Sequence, residues 1–237
     1  LVMLTSTFPF DKGEDFLSEE INYVNGFDRV LVCPYNLKAD STKTKQIPKN
    51  VECIPLKRKN LSKSAYLKLL CKPSVLSEIN MLLYNGSFSF ARVHELLFFM
   101  KHAYEIYNSL KQISVLFKAE EVCIYSYWFY DAAVAAALLK RDLQKCNIKV
   151  KQISRAHGFD IHEERSKLNY LPMRNFLLNN VNYLYPCSQN GVDTFISKYP
   201  KYKEKIKPAF LGTADHGTKY GNGKNGIHIV SCSYMVP

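Results

Sequence analysis

The stretch SRAHGFDIHEER (154–165) gathers a histidine, a glycine and an aspartate within four residues, directly behind KVKQIS (149–154), which alternates like a strand. His157 offers an imidazole that can donate or accept a hydrogen bond. Gly158 offers a backbone that a ligand can approach closely, and Asp160 an anionic acceptor. In an open α/β sheet, ligands sit in the crevice beyond the carboxyl ends of the strands, which is where such a turn would lie. His157 and Asp160 are therefore candidate catalytic residues, with Arg155 and Gly158 as ligand contacts beside them. The same residue types also suit a polar surface turn in which His157 merely caps the strand, and residue type alone leaves both readings open.

Two further loops have chemistry to offer. TSTFPFDKG (5–13) joins a first strand at 1–4 to a helix expected over 14–25, so its backbone N–H groups, with Lys12 beside Gly13, could face an anion. Glu14 and Asp15 fall in that helix's first turn, where acids complement the helix dipole. YSYWFYD (125–131) holds the only tryptophan, Trp128, next to Tyr127 and close to a carboxylate. Such rings stack on sugar faces or bases, and more often they are partly buried packing. Ser188 is a good helix N-cap.

Other chemistries lack their signatures. Gly221, Gly223 and Gly226 have G-x-G-x-x-G spacing, but a strand follows them where a dinucleotide site needs a helix. His157 and His162 would share a face only in a helix, which Gly158 argues against, and no further ligand cluster accompanies them, so no metal is expected. No G-x-S-x-G turn appears, and the cysteines have no evident activating partner.

Positioning these loops requires alternating strands and helices. Strands are expected at 1–4, 30–33, 51–56, 122–127, 149–154, 183–186, 208–211 and 227–232. Helices are expected at 14–25, 61–72, 75–83, 90–117, 130–143, 172–179 and 192–198. In 14–25, Leu17, Ile21 and Val24 make one buried face; in 90–117, Leu96, Met100, Ala103, Tyr107 and Leu110 do the same. Repeated βα units imply α/β architecture, a Rossmann-like doubly wound parallel sheet, with strand order unreadable. The polar, glycine-rich GTADHGTKYGNGKNG (212–226) reads as a linker before a last strand.

The 237 residues suffice for one large domain or two small ones, and 47% hydrophobic against 22% charged is ordinary for a globular chain. The longest apolar run, AAVAAALL (132–139), is too short to span a membrane, and no leader pattern opens the chain. Seven scattered cysteines, never in C-x-x-C, suit reduced thiols in a cytoplasmic protein, which deprives the sequons at Asn60 and Asn85 of meaning. The net charge of +11 favours an anionic partner: a phosphorylated ligand, an acidic membrane surface or nucleic acid. It concentrates in 38–72 and 198–207, runs that are often only solvated faces.

In order along the chain, TSTFPFDKGEDFLSEEI, SRAHGFDIHEER, YLYPCSQNGVDTFISKYP, FLGTAD and IHIVSCSYMVP together resemble the N-terminal half of a retaining glycosyltransferase of family 4, with its two-Rossmann-domain GT-B architecture. Residues 38–117 carry least of the likeness. The resemblance implies an N-terminal acceptor-side domain over 1–212, a linker over 213–226, and at 227–237 the first strand of a C-terminal domain that the chain does not continue. It implies that His157 contacts the donor sugar in the interdomain cleft. Lys12, Gly13 and Glu14 would lie near the donor's phosphates and the acceptor, and Ser188 would begin the helix after the next strand. Many members carry paired glycines where this chain has only Gly13.

The function so implied is sugar transfer from a nucleotide-sugar donor to a glycan or lipid-linked acceptor, in surface polysaccharide or glycolipid synthesis, with no cofactor. The transition state is oxocarbenium-like, and charge on the leaving diphosphate must be met by preorganised cations. Half a cleft cannot meet both needs, so this stretch alone is expected to fold but transfer poorly. A cytoplasmic location is expected, with the basic, apolar 56–72 stretch suited to an anionic membrane at its inner face. Two alternatives stand: a non-catalytic basic module binding membrane or nucleic acid, although no recognised nucleic-acid motif accompanies the charge, and a sugar-nucleotide epimerase of the same architecture.

Overall fold

Short apolar runs separated by helices longer than the strands leave the chain one economical solution, a parallel sheet with its connections laid over the faces. A computed structural model describes residues 1–117, 119–212 and Gly217. Its strands are β1 (Val2–Thr5), β2 (Val30–Pro34), β3 (Val51–Cys53), β4 (Glu121–Ser126), β5 (Lys149–Ala156) and β6 (Tyr183–Pro186). All pairs are parallel, in the order β3-β2-β1-β4-β5-β6. This is a Rossmann-like doubly wound α/β fold, as the βα alternation predicts, and the strand order reverses direction between β1 and β4.

The helices are α1 (Leu17–Glu20), α2 (Lys63–Leu67), α3 (Pro73–Tyr84), α4 (Phe90–Ile113), α5 (Asp131–Lys145), α6 (Gly158–Ile161), α7 (Arg174–Asn180) and α8 (Gln189–Lys198). Right-handed crossovers place connections running outward on opposite sides of β1 and β4 on opposite faces. Thus Leu17 and Ile21 of the α1 region pack on Met3, Val30, Val32 and Tyr125. On the other face Ile106 and Leu110 of α4, with Ala132, Ala135 and Ala136 of α5, pack on Val2, Leu4, Leu31 and Ile124. A third cluster joins α3, α4, α7 and α8 through Val75, Leu96, Leu177 and Phe195. No helix among the described residues is long and apolar enough to cross a membrane.

Several expected elements differ. The strand over 51–56 ends at Cys53, and the helix over 61–72 is α2 followed by the 3-10 turn Lys68–Cys71. The helix over 14–25 shrinks to α1 and a 3-10 turn, Ile21–Tyr23, because Glu14 sits at φ +50 and sends its side chain back into the preceding loop. The strand expected at 208–211 is an extended segment beside β6: Lys207 and Ala209 donate to Leu184 and Pro186 carbonyls, and Pro208 has no N–H to give. The turn after β5, expected to resist helix, forms the single turn α6 with Gly158 as its first residue. The expected linker, apart from Gly217, and the strand at 227–232 lie outside the described residues.

Candidate functional site

The carboxyl ends of β1, β4 and β5 bring the three sequence-nominated loops together at the reversal point of the sheet. Tyr127 extends the β1–β4 ladder by donating its N–H to the Leu4 carbonyl at 3.0 Å, so the aromatic loop starts beside the TSTFPFDKG loop. His157 follows Ala156, the last residue of β5. Its ring lies against both neighbours of that loop, with centroids 4.7 Å from Tyr127 and 4.5 Å from Trp128. Both imidazole nitrogens are buried and have no hydrogen-bond partner among the described residues. Burial, aided by the nearby Arg155 charge, lowers the His157 pKa to about 4. The imidazole is therefore neutral at physiological pH, presenting one N–H donor and one nitrogen acceptor.

Glu14 takes a role different from the helix-capping acid expected of it. Its Oε1 accepts from Ser6 N at 2.7 Å and from Trp128 Nε1 at 2.7 Å, while Oε2 accepts from Thr7 N at 2.9 Å and Phe8 N at 2.8 Å. The expectation that these backbone N–H groups face an external anion is corrected: the chain's own carboxylate fills the cradle. Behind it, Lys45 donates to the carbonyls of Asp11 (3.0 Å) and Gly13 (2.9 Å) and pairs with Asp15 at 3.3 Å. Gly13 adopts φ +106, a conformation side chains rarely take, and Lys12 beside it is exposed, with no hydrogen bond or ion pair among the described residues.

Two nominated residues are turned away from the crevice. Arg155, nominated as a ligand contact, is buried and fully committed. It pairs with Glu20 at 2.9 Å and donates to Tyr125 Oη at 3.0 Å and to the Ala209 carbonyl at 2.7 Å. Asp160, nominated as catalytic, is wholly buried. Its carboxylate accepts the backbone N–H groups of Phe129, at 2.6 Å, and of His157, tying the β4–α5 loop to the β5–α6 turn. Burial pushes its pKa up to about 6 against the pull of Arg174. Asp160 thus positions His157 and does not itself face a ligand.

Ser188 caps α8 as expected, accepting from Gly191 N at 3.1 Å. A Cβ on Gly158 would come within 2.7 Å of Arg165 Nη1, the end of a flexible side chain that can move aside. Arg165, quoted in the motif but not singled out, therefore lies against the start of α6, its side chain exposed and without a hydrogen bond or ion pair among the described residues. Its only signal in the sequence is its place inside SRAHGFDIHEER. Glu20 and Lys45 carry no such signal, since their partners are remote in sequence. Among the described residues no His/Cys/Asp/Glu group could hold a metal ion. No protein-family model matches the chain, and no curated protein matches it. The arrangement itself suits a ligand that combines hydroxyl groups for a neutral imidazole, a face for the Trp128 ring, and negative charge for Lys12 and Arg165.

Proposed function

We propose that the chain is the N-terminal, acceptor-side part of a glycosyltransferase that moves a sugar from a nucleotide-sugar donor to a glycan or lipid-linked acceptor. The observation that carries this reading is the neutral His157, held between Tyr127 and Trp128 at the sheet's reversal point, its two ring nitrogens buried and without a hydrogen bond of standard geometry among the described residues. A buried imidazole in that state gains by meeting a hydroxyl, because an unsatisfied buried polar group costs about 1–3 kcal/mol. The ordered likeness to family 4 glycosyltransferases supports the same reading, with His157 on the donor sugar. Lys12 and Arg165 then serve the anionic portion of the donor, and Glu14 holds the first loop and Trp128 in place. Asp160, in this reading, orients the backbone of His157.

The test uses the protein expressed from its full reading frame, with a panel of nucleotide-sugars followed by saturation-transfer NMR and by product analysis. Saturation should reach sugar-ring protons as well as the nucleotide. His157→Ala should weaken donor binding by tenfold or more, about 1.4 kcal/mol, and lower transfer with it. Undiminished binding and transfer in that variant would remove His157 from the site. A C2-inverted free nucleotide-sugar as product, with no acceptor modified, would replace transfer by epimerisation.

A further inference from the structure

We infer that the outer surface of α2, the 3-10 turn after it, α3 and the start of α4 is a docking surface for an anionic lipid bilayer. An amphipathic helix on a globular core ordinarily spends its apolar residues on one inward stripe. Here that stripe is satisfied and a second apolar set faces out. The 3-10 turn Lys68–Cys71 buries Leu69, yet Leu67 and Leu70 beside it are exposed, Leu67 by 64%. In α3, Val75, Glu78 and Leu82 point inward while Leu76, Leu83 and Tyr84 point outward, Tyr84 by 92%. Phe88 and Phe90 follow, their rings 5.7 Å apart and Phe90 exposed by 86%. Outward leucines and aromatics concentrated along one stretch of chain mark an interaction surface, where scattered ones would not.

Charge selects the occupant. Between Glu52 and Glu78 lie Lys57, Arg58, Lys59, Lys63, Lys68 and Lys72 and no acid. Among the described residues none of the five lysines makes an ion pair, and Lys72 lies 5.2 Å from the Tyr104 ring centre; Arg58 is drawn instead to the Asn36 amide, at 3.1 Å, and its charge acts on the Asp131 carboxylate. Unneutralised cations flanking exposed leucines repel a second copy of this surface. A nucleic-acid backbone would meet the cations but leave the aliphatic side chains with nothing to bury against. An anionic bilayer answers both: headgroup charge for the lysines and acyl chain for a helix face lying about 5–10 Å deep in the interface.

This inference stands apart from the crevice, so His157→Ala should leave it untouched. The test is sedimentation with vesicles of phosphatidylcholine, alone or with about a third phosphatidylglycerol, at low and high salt. The protein should bind the anionic vesicles, ignore the neutral ones and lose affinity as salt rises. Lys59→Gln/Lys63→Gln/Lys68→Gln should weaken binding on the order of a hundredfold, at about fivefold per cation. Leu67→Ser/Leu76→Ser/Leu83→Ser should also weaken it more than tenfold, with the salt response kept. All six side chains are exposed, and an unchanged unfolding midpoint verifies intact folding. Lys201→Gln/Lys203→Gln, in the other basic run, should bind as the parent does. Equal binding of the leucine variant, equal loss in the Lys201/Lys203 variant, or no preference for anionic vesicles would overturn the inference. A leucine-independent affinity for RNA would replace it with a nucleic-acid surface.

Discussion

The imidazole of His157 makes no hydrogen bond of its own and titrates near 4, whereas in an unfolded chain it titrates near 6.5. Between those values the unfolded state binds the extra proton, so the neutral native form loses stability as pH falls from about 6.5 toward 4. His157→Gln lacks this titration. Urea unfolding at a series of pH values should show the parent losing stability relative to His157→Gln across that window, by on the order of 3 kcal/mol at most. A difference independent of pH would mean that the ring titrates in the fold as it does in the unfolded chain, and so is not held neutral by burial. Glu14 is the complementary case, an acid whose four acceptor contacts bind the first loop to Trp128. Glu14→Gln turns an NH2 toward N–H donors and should cost about 2–3 kcal/mol. Because Trp128 is the only tryptophan, its emission should shift to the red and become more quenchable. That the loops carrying Lys12–Glu14, Tyr127–Trp128 and His157 lie at one edge of the sheet was legible in sequence, because each loop follows a recognisable strand of a parallel sheet. The inward turn of Arg155 and Asp160 was not, because it depends on Glu20, Ala209, Phe129 and Arg174, residues whose nearness only the fold creates.

Among the elements, α5 shows how side-chain size sets layer spacing. Ala132, Ala133, Ala135, Ala136 and Ala137 are all wholly buried, with α4 and the sheet packed around them. Such a helix can be apolar almost all round only because both neighbours come close, and small side chains are what permit that approach. Ala136→Leu should therefore overpack the layer and lower stability by about 1–3 kcal/mol, even though leucine is nearly as good a helix former. An unchanged thermal midpoint would show spare room that the packing does not indicate. The apolar run itself was plain in the sequence, as was the stripe of α4, since periodicity survives whatever the tertiary context. Element ends were less plain for a local reason. Glu14 reads as a good first-turn acid, yet its carboxylate is drawn backward by three backbone N–H groups of the loop it follows, and the helix starts three residues later. Likewise 208–211 has a strand's look, but its pairing with β6 is limited to two bonds, from Lys207 and Ala209 on either side of Pro208.

For the molecule as a whole, the decisive fact is the reversal between β1 and β4, which no pattern in the sequence discloses because parallel pairing joins strands as distant as Val2 and Ile124. Once that order exists, three loops far apart in the chain must converge on one edge. Trp128 stands at their meeting point, bonded to Glu14 from the β1 side and in tilted ring contact with His157 from the β5 side. Its surroundings therefore depend on both halves of the sheet. Arg155 reinforces this by crossing from β5 to Glu20 at the end of α1, and Asp160 by joining the loops after β4 and β5. If these ties couple the halves, neither can melt while Trp128 keeps its native emission. Urea unfolding followed by tryptophan fluorescence and by far-ultraviolet circular dichroism should then give superimposable transitions. In Arg155→Met, which removes the ion pair but keeps most of the apolar length, the fluorescence transition should move to lower urea ahead of the dichroism. Coincident curves in that variant would show that the central β1–β4 ladder alone couples the two halves, with Arg155 contributing stability but not cooperativity.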